Sequence, residues 1–289
     1  MPDWIELKGP TKTGQNGLAW TFTVRTDRPG NYFTSIAFEC DSGVGYCQVT
    51  LEVVEGTPAL GELVLCDSPF DCHTTFESLA SLVRILGALP MRLHCLEHLG
   101  EMGELRPRTI VLHQSGLFRC DAADVERLRG LATAGTNVVV LADEFYRGTT
   151  GAANRVLTPF GLRMKQDGRE EPGLTREQKG ERIIAWQDRY ERVPFVSGPE
   201  HLTPHPLTAG VRRLHWFRPC PVVCESGRPL VGNPADPGEC FAAVAEPGGY
   251  VVALGKSLWS GLSAVGWPFD NDRFLANALV GGDSEAALG

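Results

Sequence analysis

Short, continuous apolar runs separated by helical patterns dominate the middle of the chain. Glu62–Asp67, Thr109–His113 and Asn137–Ala142 each carry consecutive Val, Leu or Ile rather than alternating ones, and Met91–Leu96 reads as a further strand. Strands written this way are buried on both faces, the pattern of a mostly parallel sheet covered by helices in an α/β domain. The intervening segments have the helical period. Thr75–Leu86 sets Phe76, Leu79, Leu82, Val83 and Leu86 on one face, and Asp121 caps a helix carrying Val125, Leu128 and Leu131, with Gly135 near its end. Further on, the charged stretch Leu174–Arg192, opening on Thr175-Arg-Glu-Gln-Lys, predicts a polar helix or an insertion over one sheet edge. Pro204–Gly210 reads as a loop, and His215–Phe217 and Pro221–Val223 as short strands. Gly249–Gly255 is a late strand and Asn271–Val280 a closing helix.

The first part of the chain follows a different rhythm. Ala19–Val24, Tyr32–Phe38 and Cys47–Val54 alternate like strands, with Arg28-Pro-Gly-Asn31 and Asp41-Ser-Gly-Val-Gly45 between them as turns. Residues 1–57 are therefore expected to form a small antiparallel β-rich unit, sandwich-like or a meander, ahead of an α/β domain over 58–283. Asp41–Cys47 superficially resembles the late strand of immunoglobulin domains. However, the corner tyrosine position is Gly45, and too little chain precedes it for a partner cysteine.

Composition narrows the function classes. A formal net charge of -8 with no basic run argues against nucleic acid and anionic membrane surfaces as partners. The sequence carries neither an export signal nor an apolar stretch of membrane-spanning length, so a cytoplasmic location is expected. Nine scattered cysteines, several inside apolar runs, read as reduced core thiols. The four-residue offset of Cys220 and Cys224 suits neither a zinc knuckle nor a redox pair.

The order Thr109-Ile-Val-Leu-His-Gln-Ser-Gly116, then a helix opening on Asp-Ala-Ala-Asp, then Gly135-Thr-Asn-Val-Val-Val-Leu-Ala-Asp143 resembles the class I glutamine amidotransferase-like fold. It is most similar to the non-catalytic branch in gliding-motility ABC accessory proteins and an intraflagellar transport subunit. His205-Pro-Leu-Thr-Ala-Gly-Val211, Val251–Ser257 and Asn271–Leu275 fit that order too, so the resemblance spans about Gly61 to Leu279. It implies a flavodoxin-like sheet with helices on both faces. Active members of the family carry a nucleophilic cysteine in the tight turn after a central strand, with a downstream histidine as base. Here the matching turn after Val138–Leu141 reads Ala-Asp-Glu-Phe-Tyr-Arg-Gly148. Acyl transfer needs an activated nucleophile beside a base, and a carboxylate does not replace a thiolate. The resemblance therefore implies a pseudoenzyme without catalytic residues.

In an open parallel sheet, ligands bind at the carboxyl ends of the strands. That edge would gather Asp67, Ser68, Phe70 and His73 from the first loop, and His113, Gln114 and Ser115 from the third. Asp143, Glu144, Tyr146 and Arg147 would come from the fourth, and Lys256, Ser257 and Trp259 from the last. These are the candidate ligand-binding residues. Asp67, Asp71, His73, Asp143 and Glu144 would form a metal site only if their loops met; none is assigned, and no cofactor is expected. Arg147-Gly-Thr-Thr-Gly151 leads into a helix that Thr150 is expected to cap. Gly255-Lys-Ser257 resembles the end of a phosphate loop, but Gly249 is one residue too far upstream and the interval is an apolar strand. Two functions follow. The first is a ligand-binding or protein-interaction domain within a cytoplasmic assembly, its partner a protein or small molecule still to be identified. The alternative is a carboxylate- or metal-dependent hydrolase working at the same edge.

Overall fold

A computed structural model of the chain describes residues 5–13, 17–24, 30–40, 43–53, 61–66, 89, 91–96, 98–142, 149–166, 168, 171–191, 194–256 and 269–282. The expected helix Thr75–Leu86 lies outside them.

Four strands open the chain: β1 (Ile5–Thr13), β2 (Gly17–Val24), β3 (Gly30–Cys40) and β4 (Gly43–Val53). They pair antiparallel as β1 with β2 and β3 with β4. Sequence patterning missed β1. Gly9 and Pro10 sit in its middle, where the register slips between Lys8 and Thr11, because a proline lacks the N–H that a ladder requires.

Among the described residues, the main sheet has nine strands. Its parallel part comprises β5 (Glu62–Cys66), β6 (Arg92–Leu96), β7 (Thr109–His113), β8 (Asn137–Leu141) and β15 (Val251–Leu254). These lie in the order β6-β5-β7-β8-β15. Counted along the chain, that is second, first, third, fourth, fifth: the flavodoxin-like order, with its switch point between β5 and β7. The antiparallel part adds β9 (Leu162–Met164), β12 (Val222–Cys224), β13 (Arg228–Asn233) and β14 (Asp236–Ala245). It continues β15-β14-β12-β9, with β13 on β14. A separate hairpin pairs β10 (Phe195–Ser197) with β11 (Leu214–Trp216).

Alternate residues of the apolar strands feed two cores, which is why their sequences are apolar throughout. On one face, Leu63, Val111, Val139, Leu141, Val252 and Leu254 pack with Trp216 and with Phe274, Leu275 and Leu279 of the closing helix α5 (Asn271–Val280). On the other, Val64, Ile110, Leu112, Val138 and Val140 share a core with helices that follow β7 and β8. These are α1 (Gln114–Arg119), which contributes Leu117, α2 (Ala122–Thr133), which contributes Leu128, and α3 (Thr149–Leu157), which contributes Val156. The α2 cap is as expected: Asp121 accepts from the Asp124 N–H at 2.9 Å while Asp124 accepts from the Asp121 N–H at 3.2 Å. The polar segment forms α4 (Arg176–Trp186), opened by the reciprocal Thr175–Gln178 bonds and continued by a wider turn over Gln187–Glu191. Pro204–Gly210 is not simply loop, since Pro206–Thr208 form a single tight helical turn behind His205.

Among the described residues, no helix is long and apolar enough to cross a membrane.

Candidate functional site

The strand ends Leu96, Cys66, His113, Leu141 and Leu254 line up along one edge. Asp67, Ser68, Phe70, Asp71 and His73, Asp143, Glu144, Tyr146 and Arg147, and Ser257 and Trp259 lie outside the described residues, as do the side chains of Gln114 and Ser115. His113 and Lys256 are described, and both are buried: they are 1% and 6% exposed. His113 is the last residue of β7, drawn into the sheet with the strand. Lys256 follows Gly255, which donates to Phe241 O at 2.9 Å and accepts from Cys220 N at 2.7 Å. A Cβ at Gly255 would collide with the Cys220 carbonyl. This rigid clamp is unlike a phosphate cradle.

The same clamp brings in a residue that patterning missed. Cys220 is bound to Gly255, so the turn before it, Phe217-Arg218-Pro219, runs beside the end of β15. Arg218 has φ 54°, the left-handed region that side chains avoid, and its guanidinium lies 5.1 Å over the Phe217 ring. Backbone held in this region is concentrated at functional sites. No sequence signal announces a positive φ at an arginine before a proline.

Two thiols near the edge are described. Cys66 is 1% exposed, and its carbonyl is so close to Gly116 of α1 that a Cβ there would overlap it. Cys120 donates to Gly116 O at 3.3 Å. Burial, then the neighbouring Asp124, pushes its thiol up to about 12, the reverse of an activated nucleophile. Thr150 does not cap α3, because the helix already begins at Thr149 and both threonines are fully buried.

A second polar assembly lies at the opposite, antiparallel margin, where patterning predicted no site. Glu239 of β14, its side chain 10% exposed, accepts from Lys165 Nζ at 2.5 Å, Tyr190 OH at 2.8 Å and Asn233 Nδ2 at 3.0 Å. Arg189 stands 3.6 Å away and pairs with Asp236. The Gly238 N–H, then Arg189, hold the Asp236 carboxyl below its usual range. Burial, reinforced by the Glu239 hydrogen bond, raises the Tyr190 phenol. Of these groups, Lys165, Asp236 and Glu239 line an open cleft of about 790 Å³, together with Arg163, Gln166, Glu171 and Val223 among others. Glu239 thus ties Lys165, Tyr190 and Asn233 into one network. The cleft beside it presents side chains of both charge signs. Beside the cleft, Asn154 of α3 closes the outer edge of β9, accepting from Met164 N at 2.7 Å and donating to its carbonyl at 3.0 Å, which blocks strand addition there. Among the described residues, no cluster of His, Cys, Asp or Glu is placed to hold a metal.

No family model matches the chain, and no curated protein matches it. Among solved structures, a cytoplasmic protein from Salmonella typhimurium aligns with a TM-score of 0.41 and 11% identity over 86% of this chain and 95% of that one. A likeness of that degree carries no functional argument.

Proposed function

We propose that the chain is a non-catalytic, amidotransferase-like binding or interaction domain, a component of a larger cytoplasmic assembly, that recognises its protein or small-molecule partner at the carboxyl edge of the parallel strands. One observation carries this reading. β8 ends at Leu141 and α3 starts at Thr149, so the strand-to-helix turn where an active relative places its nucleophile is bracketed to residues 142–148. That turn has the sequence Ala-Asp-Glu-Phe-Tyr-Arg-Gly, without a thiol. The buried, strongly protonated Cys120 offers no substitute. The flavodoxin-like strand order supports the location, since ligands of such sheets sit outside the switch point.

The test uses the purified full chain in two assays. A thermal-shift panel of amino acids, nucleotides and divalent cations is expected to yield a ligand that raises Tm in the wild type but not in Asp67→Ala or Asp143→Ala. Ammonia release from glutamine is expected to equal the protein-free blank. Glutamine hydrolysis, or metal-dependent hydrolysis of a phosphoester that disappears in Asp143→Ala or Glu144→Ala, would overturn the proposal in favour of the hydrolase.

A further inference from the structure

Cys224 on β12 and Cys240 on β14 have their sulfurs 3.8 Å apart. The register explains the meeting. Val222 lies opposite Cys240, and Cys224, two residues along, points to the same face. The two cysteines are thus diagonal neighbours across an antiparallel pair, close enough for side chains to touch. Sixteen positions of sequence separate them, and neither the spacing nor the composition of that interval marks them as partners. The sequence instead draws attention to Cys220, which is fully buried and whose Sγ lies 3.0 Å from Lys165 O.

We propose that Cys224 and Cys240 are an oxidisable dithiol, which a hydroperoxide converts into a disulfide that pins β12 to β14 at the wall of the polar cleft. The roles divide by environment. Cys224 is half-buried, whereas Cys240 is 4% exposed and its Sγ also lies 3.2 Å from Val222 O. The contact between the two sulfurs lowers the Cys224 pKa, while the same contact and burial raise that of Cys240. Cys224 is therefore the attacking thiolate. Its sulfur takes the distal oxygen of the peroxide, the O–O bond breaks, and the alcohol or water leaves with a proton; the product is a sulfenic acid. Cys240 sulfur then displaces that hydroxyl, which departs as water with the Cys240 proton. The sulfurs close to about 2.05 Å, and one peroxide has been reduced per bridge. Val223 and Glu239, the chain neighbours of the two cysteines, line the cleft. The bridge consequently fixes the relative position of two of its walls.

The experiment treats the reduced full chain with hydrogen peroxide, blocks remaining thiols with N-ethylmaleimide and cleaves after glutamate. Glu225 and Glu239 place Cys224 and Cys240 in different peptides. The expected product is a single cross-linked pair, two hydrogens lighter than the sum of its peptides and separated by reductant. It should persist in Cys220→Ser and vanish in Cys224→Ser. In Cys240→Ala, Cys224 should accumulate as a sulfenic acid that dimedone captures, a readout that does not depend on forming the bridge. Full N-ethylmaleimide labelling of both cysteines after peroxide, a bridge that uses Cys220 instead, or sulfinic acid at Cys224 of the wild type without any bridge would each overturn the proposal.

Discussion

On the parallel side of the main sheet, Ile110–Leu112 and Val138–Leu141 are buried at every consecutive position. On the antiparallel side, β13 and the opening of β14 mix exposed Arg228, Pro229, Pro237 and Gly238 with buried Leu230, Val231, Cys240 and Phe241. The first region is held by apolar area on both faces. The second depends on a few specific contacts: the Trp216–Phe241 and Phe195–Phe241 ring pairs, the Glu239 hub and the thiol pair. Area is tolerant of detail, since many small contributions share the work. A few anchors are not, and single substitutions should separate the two.

The largest effect is expected at Trp216, which is fully buried and donates from Nε1 to Ser197 Oγ at 3.2 Å. Trp216→Ala should destabilise by about 4 kcal/mol in urea unfolding, against about 3 kcal/mol for Leu112→Ala in the parallel strands. A larger loss at Leu112 would remove the contrast between anchors and shared area. The parallel side also has points of low tolerance, among them the approach of α1 to the end of β5 at the switch point. Gly116→Ala forces a methyl into the Cys66 carbonyl, so strand and helix must part; a cost of about 3 kcal/mol follows. A Gly116→Ala variant as stable as wild type would mean that this edge is slack.

Legibility in the sequence divides along the same line. Burial on both faces demands consecutive Val, Ile and Leu, so β5, β7, β8 and β15 could be read directly, as could α2 from Asp121 and α5 from its own period. The β13–β14 hairpin could not. Pro229, Gly232, Pro234, Pro237 and Gly238 are turn residues, and here Pro229 and Gly232 sit within strand pairings whose register shifts three times. β9 is three residues long, too short for any period. Of the candidate site, residue types at the strand ends followed from strand order, but the burial of His113 and Lys256 did not. Burial there is set by the Gly255–Cys220 clamp, a contact between residues 35 positions apart in sequence. The Glu239 hub brings together Lys165, Tyr190 and Asn233 from separate stretches, and no local pattern encodes such a meeting.

The hub itself is the next test. Glu239→Ala removes the shared acceptor of Lys165, Tyr190 and Asn233, leaving donors in a partly buried setting. A loss of about 2 kcal/mol is expected. Glu239→Gln should recover part of it, because an amide oxygen still accepts. Equal stability of wild type and Glu239→Ala would reduce the hub to a surface ion pair.

The smallest effect has the sharpest signature. Tyr190→Phe deletes one hydrogen bond to a carboxylate, about 1.5 kcal/mol at neutral pH, but it also changes how stability depends on pH. The Tyr190 phenol is raised above its ordinary value of 10.0, by burial first and then by Glu239. Below that value the phenol is protonated in both the folded and the unfolded chain, and its contribution is complete. Above it the unfolded chain gives up the proton while the folded chain retains it, so the unfolded state binds fewer protons and stability falls as pH rises. Between about pH 9 and 11, urea midpoints of the wild type should therefore decline more steeply than those of Tyr190→Phe. The other titrating groups are common to both proteins and cancel in the difference. Parallel curves would mean that Tyr190 ionises as readily in the folded chain as in the unfolded one. The antiparallel margin would then be as forgiving as the parallel strands.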